Sequence, residues 1–186
     1  MGTQDRDALF MKQVLVLNAM GPNQPALLPD LTRFILECGC NIVESRMSVL
    51  GTEFACFLLI SGAWDAIARL ESGSKKMERK LQVSLTLQRT TERPLVKEMT
   101  PYAVDVVSLD QEGTLFNLTS FFTERQITIC ELSSRTYVAS YTGATMMAFQ
   151  MTILVPASQP IAHLREEFTD FCDKLNLDAI MEPVKS

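Results

Sequence analysis

The 186-residue chain holds one histidine, an odd number of cysteines and fewer basic than acidic side chains, and each shortage removes a class of function. With His163 alone, no set of imidazoles can hold a metal, and no serine or cysteine nucleophile stands in a recognisable elbow for it to activate. We read His163 as a solvated residue near the start of the last helix. The five cysteines, Cys38, Cys40, Cys56, Cys130 and Cys172, cannot all pair, and most lie in apolar patterns where a thiol packs as a small hydrophobe, which points to a reducing cytoplasm. Cys38-Gly39-Cys40 lacks the two-residue gap of a zinc or thioredoxin motif, so neither a metal nor another cofactor is expected. Lysine and arginine total 17 against 22 acidic residues, a net charge of -5, whereas direct binding to DNA or RNA draws most of its affinity from cationic side chains on phosphate. The partners expected are therefore proteins or small molecules.

Long apolar runs are missing too. Residues 14–20 are too few to span a bilayer, so no membrane association is expected, and Asp5, Arg6 and Asp7 stand where a signal peptide would be net positive. Residues 1–11 read as an untethered leader. Neither a Walker nor a dinucleotide glycine pattern is present, and two prolines in Gly21-Pro22-Asn23-Gln24-Pro25 remove backbone donors that a phosphate would need. The repeat-related carboxylates Glu44 and Glu131 could suggest an acid/base pair, but both fall on strands expected at sheet edges, where charge discourages stray pairing. No convergent catalytic set is left, and an enzyme is not expected.

What the chain does have is itself, twice. Displaced by 87 positions, Leu28 falls on Leu115, Leu31 on Leu118, Thr32 on Thr119, Phe34 on Phe121, Glu37 on Glu124, Ile42 on Ile129 and Glu44 on Glu131. That period exceeds the roughly 20 to 50 residues of solenoid repeats, so it marks a duplicated domain, with function expected where the copies meet.

The first copy opens with an apolar strand at 13–20 and a tight loop. Leu27, Leu28, Leu31, Phe34, Ile35 and Cys38 then follow helical spacing up to Gly39. Residues 41–50 alternate, with Val43, Ser45, Met47 and Val49 opposite Ile42, Glu44, Arg46 and Ser48, and Gly51-Thr52 turns into a nearly wholly apolar, central strand at 53–61. A helix is expected at 63–72 with Trp64, Ile67 and Leu70 inward, and a last strand at 81–87. The second copy repeats this with a strand at 102–109, a helix at 114–125, strands at 127–136 and 146–155, a helix whose inner stripe is Ile161, Leu164, Phe168, Phe171 and Leu175, and a strand at 177–181. The order β-α-β-β-α-β predicts an α+β fold of two tandem ferredoxin-like domains, each a four-stranded antiparallel sheet with two helices on one face. Their bounds are expected at 12–91 and 102–183, with a linker at 92–101 rich in proline and charge.

Each copy sets a short polar loop before its first helix: Asn23, Gln24, Pro25 and Ala26, then Asp110, Gln111, Glu112 and Gly113. Free N–H groups at a helix N-terminus suit a carboxylate, and a nearby Asn or Asp oxygen suits an ammonium, which together describe a receptor for a free amino acid. Plain helix capping by Asn23 or Asp110 is the competing reading.

The duplicated unit with its polar loop-to-helix cluster resembles a tandem of ACT domains, the small-molecule-sensing modules of amino-acid metabolism. More narrowly, Cys38-Gly39-Cys40-Asn41-Ile42-Val43-Glu44-Ser45-Arg46, Leu50-Gly51-Thr52-Glu53-Phe54, Ser61-Gly62-Ala63-Trp64-Asp65-Ala66-Ile67, Arg89-Thr90-Thr91-Glu92-Arg93-Pro94 and Glu131-Leu132-Ser133-Ser134-Arg135-Thr136 resemble the glycine cleavage system transcriptional repressor family. The resemblance implies a bacterial cytoplasmic regulator without a DNA-binding domain, which acts on a LysR-type activator and responds to glycine. ACT domains commonly pair edge strands or pack helices, so a homo-oligomer is compatible. Carried over by position, the ligand contacts implied are Asn23, Gln24, Pro25, Ala26, Leu27, Leu28, Asn41 and Ile42, and in the second copy Asp110, Gln111, Glu112, Gly113, Thr114, Leu115, Thr128 and Ile129. Where ACT loops often read Asp-Arg-Pro-Gly, the first copy has neither charge nor the glycine and the second lacks the proline, so one copy could serve as scaffold alone. A ligand-free protein-interaction module of the same fold is the alternative.

Overall fold

Leu15, Leu17 and Ala19 alternate along the first strand, and all three are fully buried in the core of the first copy. The computed structural model describes residues 12–91 and 99–184; the expected leader and residues 92–98 of the expected linker lie outside the described residues. The first copy runs β1 (Gln13–Pro22), α1 (Leu27–Glu37), β2 (Asn41–Leu50), β3 (Glu53–Gly62), α2 (Trp64–Leu81) and β4 (Ser84–Thr90). The second runs β5 (Met99–Leu109), α3 (Thr114–Glu124), β6 (Thr128–Val138), β7 (Thr145–Pro156), α4 (Ile161–Leu175) and β8 (Asp178–Pro183). The chain divides into two compact units, Met1–Pro94 and Leu95–Ser186. Strand β5 begins at Met99, inside the segment expected to link the copies.

The sheets have the orders β2-β3-β1-β4 and β6-β7-β5-β8, with every pairing antiparallel, the ferredoxin-like arrangement that the pattern predicted. The almost wholly apolar β3 is central, because both of its edges are paired. In the first unit, Leu31 and Ile35 of α1 and Ile67 and Leu70 of α2 close over Leu17, Leu58 and Ile60. The second core is aromatic: Phe121 and Phe122 of α3 meet Phe168 and Phe171 of α4, with centroids 4.7 Å apart for Phe121–Phe171 and 5.3 Å for Phe122–Phe168. Such ring pairs contribute about 0.5–1.5 kcal/mol each beyond the area they bury.

Three expectations are corrected. Helix α2 extends to Leu81 rather than stopping near Ser72, and β4 starts at Ser84 rather than at 81. The helix runs on through Gly73, where a Cβ would lie only 2.9 Å from the tip of the Phe34 ring, so the glycine lets α1 and α2 pass closely. Trp64 is 51% exposed rather than inward, and Ala66 takes the buried place beside Ile67 and Leu70. A helical side chain covers the turn before its own Cα, and at the first helical position there is none. Strict alternation also set Ile42 on the polar face of β2. A bulge between Ile42 and Glu44 inserts Val43, so that Ile42 lies opposite Ile60 while Ser45, opposite Leu58, keeps the same face. The second copy repeats it between Ile129 and Glu131.

Candidate functional site

The two polar loops are built by the same device. Pro22 ends β1, and the Asn23 N–H donates to the Thr52 carbonyl at 3.0 Å, fastening the loop to the β2–β3 turn. The Asp110 N–H likewise donates to the Thr145 carbonyl at 3.0 Å. Entry into the helix then differs. The Leu27 N–H bonds the Gln24 carbonyl at 3.1 Å, and Ala26 already has helical torsions, φ -84° and ψ -9°. In the second copy Gly113 enters α3 at φ 82°, a left-handed torsion that glycine adopts without strain.

Neither helix has a side-chain cap, and the N-cap positions belong to Ala26 and Gly113. The capping reading of Asn23 and Asp110 is thereby overturned: both side chains are exposed, and neither makes a hydrogen bond among the described residues, while in the first turn of α1 the Leu27 N–H is taken by Gln24 and Pro29 has none. Gln24, Pro25, Ala26, Gln111, Glu112 and Gly113 are exposed beside them. Leu27 is 2% exposed and Thr114 5%, and the Thr114 hydroxyl donates to the Gln111 carbonyl at 3.0 Å, so both could offer a ligand only backbone. Leu28 is half-buried and Leu115 is 37% exposed.

The strand positions stand apart from these loops. Ile42 pairs through Ile60 with Leu15, whereas the loop leaves β1 after Pro22, seven residues and about 23 Å farther along the strand. Ile129 pairs through Ile153 with Tyr102, again seven residues from Leu109. Within each unit, then, Asn41, Ile42, Thr128 and Ile129 occupy the opposite end of the sheet from the loop. Thr52 and Thr145, which hold the loops by their carbonyls, carried no signal in the sequence, because only strand register brings them there.

The remaining titratable groups have structural surroundings. Burial pushes the thiols of Cys38, Cys40 and Cys56 upward and that of Cys172 to about 12, so all four stay protonated and inert at neutral pH. Among the described residues, no three His, Cys, Asp or Glu side chains are grouped to hold a metal. His163 is exposed, with Nε2 3.6 Å from Glu167 Oε1. Glu167 also accepts from Arg125 Nε at 2.9 Å, a bond that holds its carboxyl below the usual range. Glu44 faces Arg46 at 3.0 Å, and Glu131 accepts from Thr152 at 3.5 Å, both on exposed edge strands.

Residues 13–88 match the profile of the ACT domain. The chain is 33% identical over 168 residues to the glycine cleavage system transcriptional repressor of Escherichia coli (strain K12), covering 90% of this chain and 88% of that protein, and equally to that of Shigella flexneri. A crystal structure assigned to a glycine cleavage system transcriptional repressor superposes with a TM-score of 0.70 at 27% identity, over 95% of this chain and 99% of that one. A protein of Galdieria sulphuraria shares the fold with a TM-score of 0.76 at 20% identity, over 94% of this chain and 99% of that one. The ACT profile matches the first copy alone, whereas the two repressor sequences align along 90% of the chain and so through both copies, and they are named for regulation rather than for catalysis. With its two four-stranded β-α-β-β-α-β units, the chain belongs to the glycine cleavage system transcriptional repressor family, a regulator and not an enzyme.

Proposed function

We propose that this protein is an amino-acid-responsive repressor of glycine cleavage genes, which acts in the cytoplasm by contacting a LysR-type activator and responds to glycine. The observation that carries this reading is the kinship with a named repressor along 90% of the chain. The net charge of -5 supports action through a protein rather than on DNA. Residues 23–28 and 110–115 are the proposed ligand contacts, since in both copies an exposed Asn or Asp side chain flanks the first turn of a helix; the second copy has the better supply of amides there, because in the first the Leu27 N–H is taken by the Gln24 carbonyl and Pro29 has no N–H. The amides would take the carboxylate, and Asp110 or Asn23 the ammonium.

Ligand size bounds the affinity. At a ceiling of about -1.5 kcal/mol per heavy atom, the five heavy atoms of glycine yield no more than about -7.5 kcal/mol, a dissociation constant above roughly 1 μM. Calorimetry with glycine, and with alanine and serine as controls, up to several millimolar tests the reading. Selective heat with glycine supports sensing; silence with all three leaves a ligand-free interaction module. Asp110→Ala should weaken glycine binding roughly tenfold or more, the worth of a hydrogen bond to a charged group. Unchanged affinity removes that role, and the same result with Asn23→Ala alone would assign binding to the second copy.

A further inference from the structure

The two copies carry opposite charge. Residues 12–91 hold nine basic and seven acidic side chains, whereas residues 99–184 hold four basic and eleven acidic ones. The acidity of the chain therefore resides in its second unit. There, the phenylalanine cluster spaces α3 from α4, and a groove of about 510 Å³ opens along the outer side of the two helices. In the first unit the corresponding helices pass closely, Phe34 against Gly73.

The floor of the groove is Phe121 and Phe171, and Phe116 stands at one end, 71% exposed. Arg125 is already engaged: its guanidinium bonds Glu167 and the Phe121 carbonyl and lies 3.8 Å from the centroid of the Phe121 ring. Of the other charges lining the groove, Glu124 and Asp170 outnumber Lys174, so the remaining charge of the groove is negative and the unit around it reinforces that sign. An exposed phenylalanine beside an aromatic floor offers an apolar anchor site.

We propose that the α3–α4 groove of the second unit is a docking surface for an amphipathic helix of a partner protein, one whose apolar stripe is flanked by lysine or arginine. The proposal deepens the regulatory reading, on which it rests for the existence of a protein partner. Length fits a helix: Phe116 and Glu124 are eight residues apart, about 12 Å of α3, and side chains at i, i+4 and i+7 of an incoming helix span about 10 Å. Flanking cations would meet Glu124 and Asp170, and the field of the acidic unit would steer their approach. A free amino acid of five heavy atoms would leave most of such a groove unfilled.

Fluorescence anisotropy of the full chain with a labelled 14-residue leucine/lysine amphipathic peptide tests the surface, alongside the same peptide with glutamate for lysine. The lysine peptide should bind and the glutamate peptide should not. Phe116→Ser, and separately Glu124→Lys with Asp170→Lys, should each raise the dissociation constant about tenfold or more. Leu36→Ser on the first unit, where Leu36 is 72% exposed, should change nothing. Equal binding of both peptides, no binding, or equal effects of Phe116→Ser and Leu36→Ser would overturn the proposal. All the substituted side chains named are exposed, and circular dichroism checks that each variant is folded. Glycine calorimetry on the unsubstituted chain separates the two ideas: no heat with glycine while the lysine peptide still binds sinks the sensing reading alone, and heat with glycine without peptide binding sinks the groove alone.

Discussion

Replacing Gly21 with alanine should destabilise the first unit by about 1–2 kcal/mol, and the reason lies in what cannot move. A Cβ on Gly21 would stand 2.9 Å from Val83 Cγ1, 3.0 Å from Val83 Cα and 3.1 Å from the Gln82 carbonyl oxygen. The methyl could rotate aside; the two backbone atoms could not. Gln82 ends α2 at φ 55°, the Val83 N–H bonds the Glu78 carbonyl at 3.2 Å, and Glu78 Oε1 accepts the Leu85 N–H at 3.0 Å, so this connection is pinned from both sides. Overpacking of this kind costs about 1–3 kcal/mol, and the stiffer unfolded chain of an alanine variant offsets about 0.4–1 kcal/mol of it. For a unit of this size each kcal/mol moves the midpoint by about 4–8 °C, so scanning calorimetry should find the transition of the first unit about 5–15 °C lower. Val83→Ala in the same chain should not restore it, because Cα and the carbonyl remain. An unchanged midpoint, or rescue by Val83→Ala, would refute the backbone collision. Because Gly21 immediately precedes the loop at Pro22 and Asn23, the variant also reports whether that loop takes part in glycine binding.

Arg125→Ala removes a part-buried ion pair, a ring contact and a donor to the last turn of α3 at once, and should lower the stability of the second unit by about 1–2 kcal/mol, with Arg125→Lys recovering only part of it; chemical denaturation of the two variants compares them. Cys172, raised to about 12, favours the protonated fold: the stability it lends is complete below the unfolded value near 8.5 and is lost as pH rises toward 12. Iodoacetamide at pH 8 should therefore modify Cys172 only after denaturant is added, as peptide mass spectrometry would detect, and rapid labelling of the native protein would contradict its burial.

The duplication, the element order and the polar loops were legible because each is a local or periodic signal. Seven identities at one offset mark a repeat whatever its shape, and alternation or helical spacing identifies which side of an element is apolar. Where such signals conflicted with a contact made far along the chain, the reading failed. The helix expected to end at 72 continues to Leu81, and the sequence does not display the Phe34 ring for which Gly73 makes room. Ile42 looked solvent-facing because a bulge shifts the phase without altering composition. Asn23 and Asp110 looked like caps, as their residue types commonly are, yet the torsions at Ala26 and Gly113 start the helices elsewhere and leave both side chains free.

By itself, then, the sequence determined two copies of a β-α-β-β-α-β unit, their apolar faces, an acidic balance unsuited to nucleic acid and the kinship with a repressor, since all of these reside in residue order and composition. Only the tertiary structure decided that loop and strand start lie at opposite ends of each sheet, that carbonyls of Thr52 and Thr145 hold the loops, and that a groove separates α3 from α4. Those facts depend on register and on the thickness of packed side chains, which join residues that no local pattern connects.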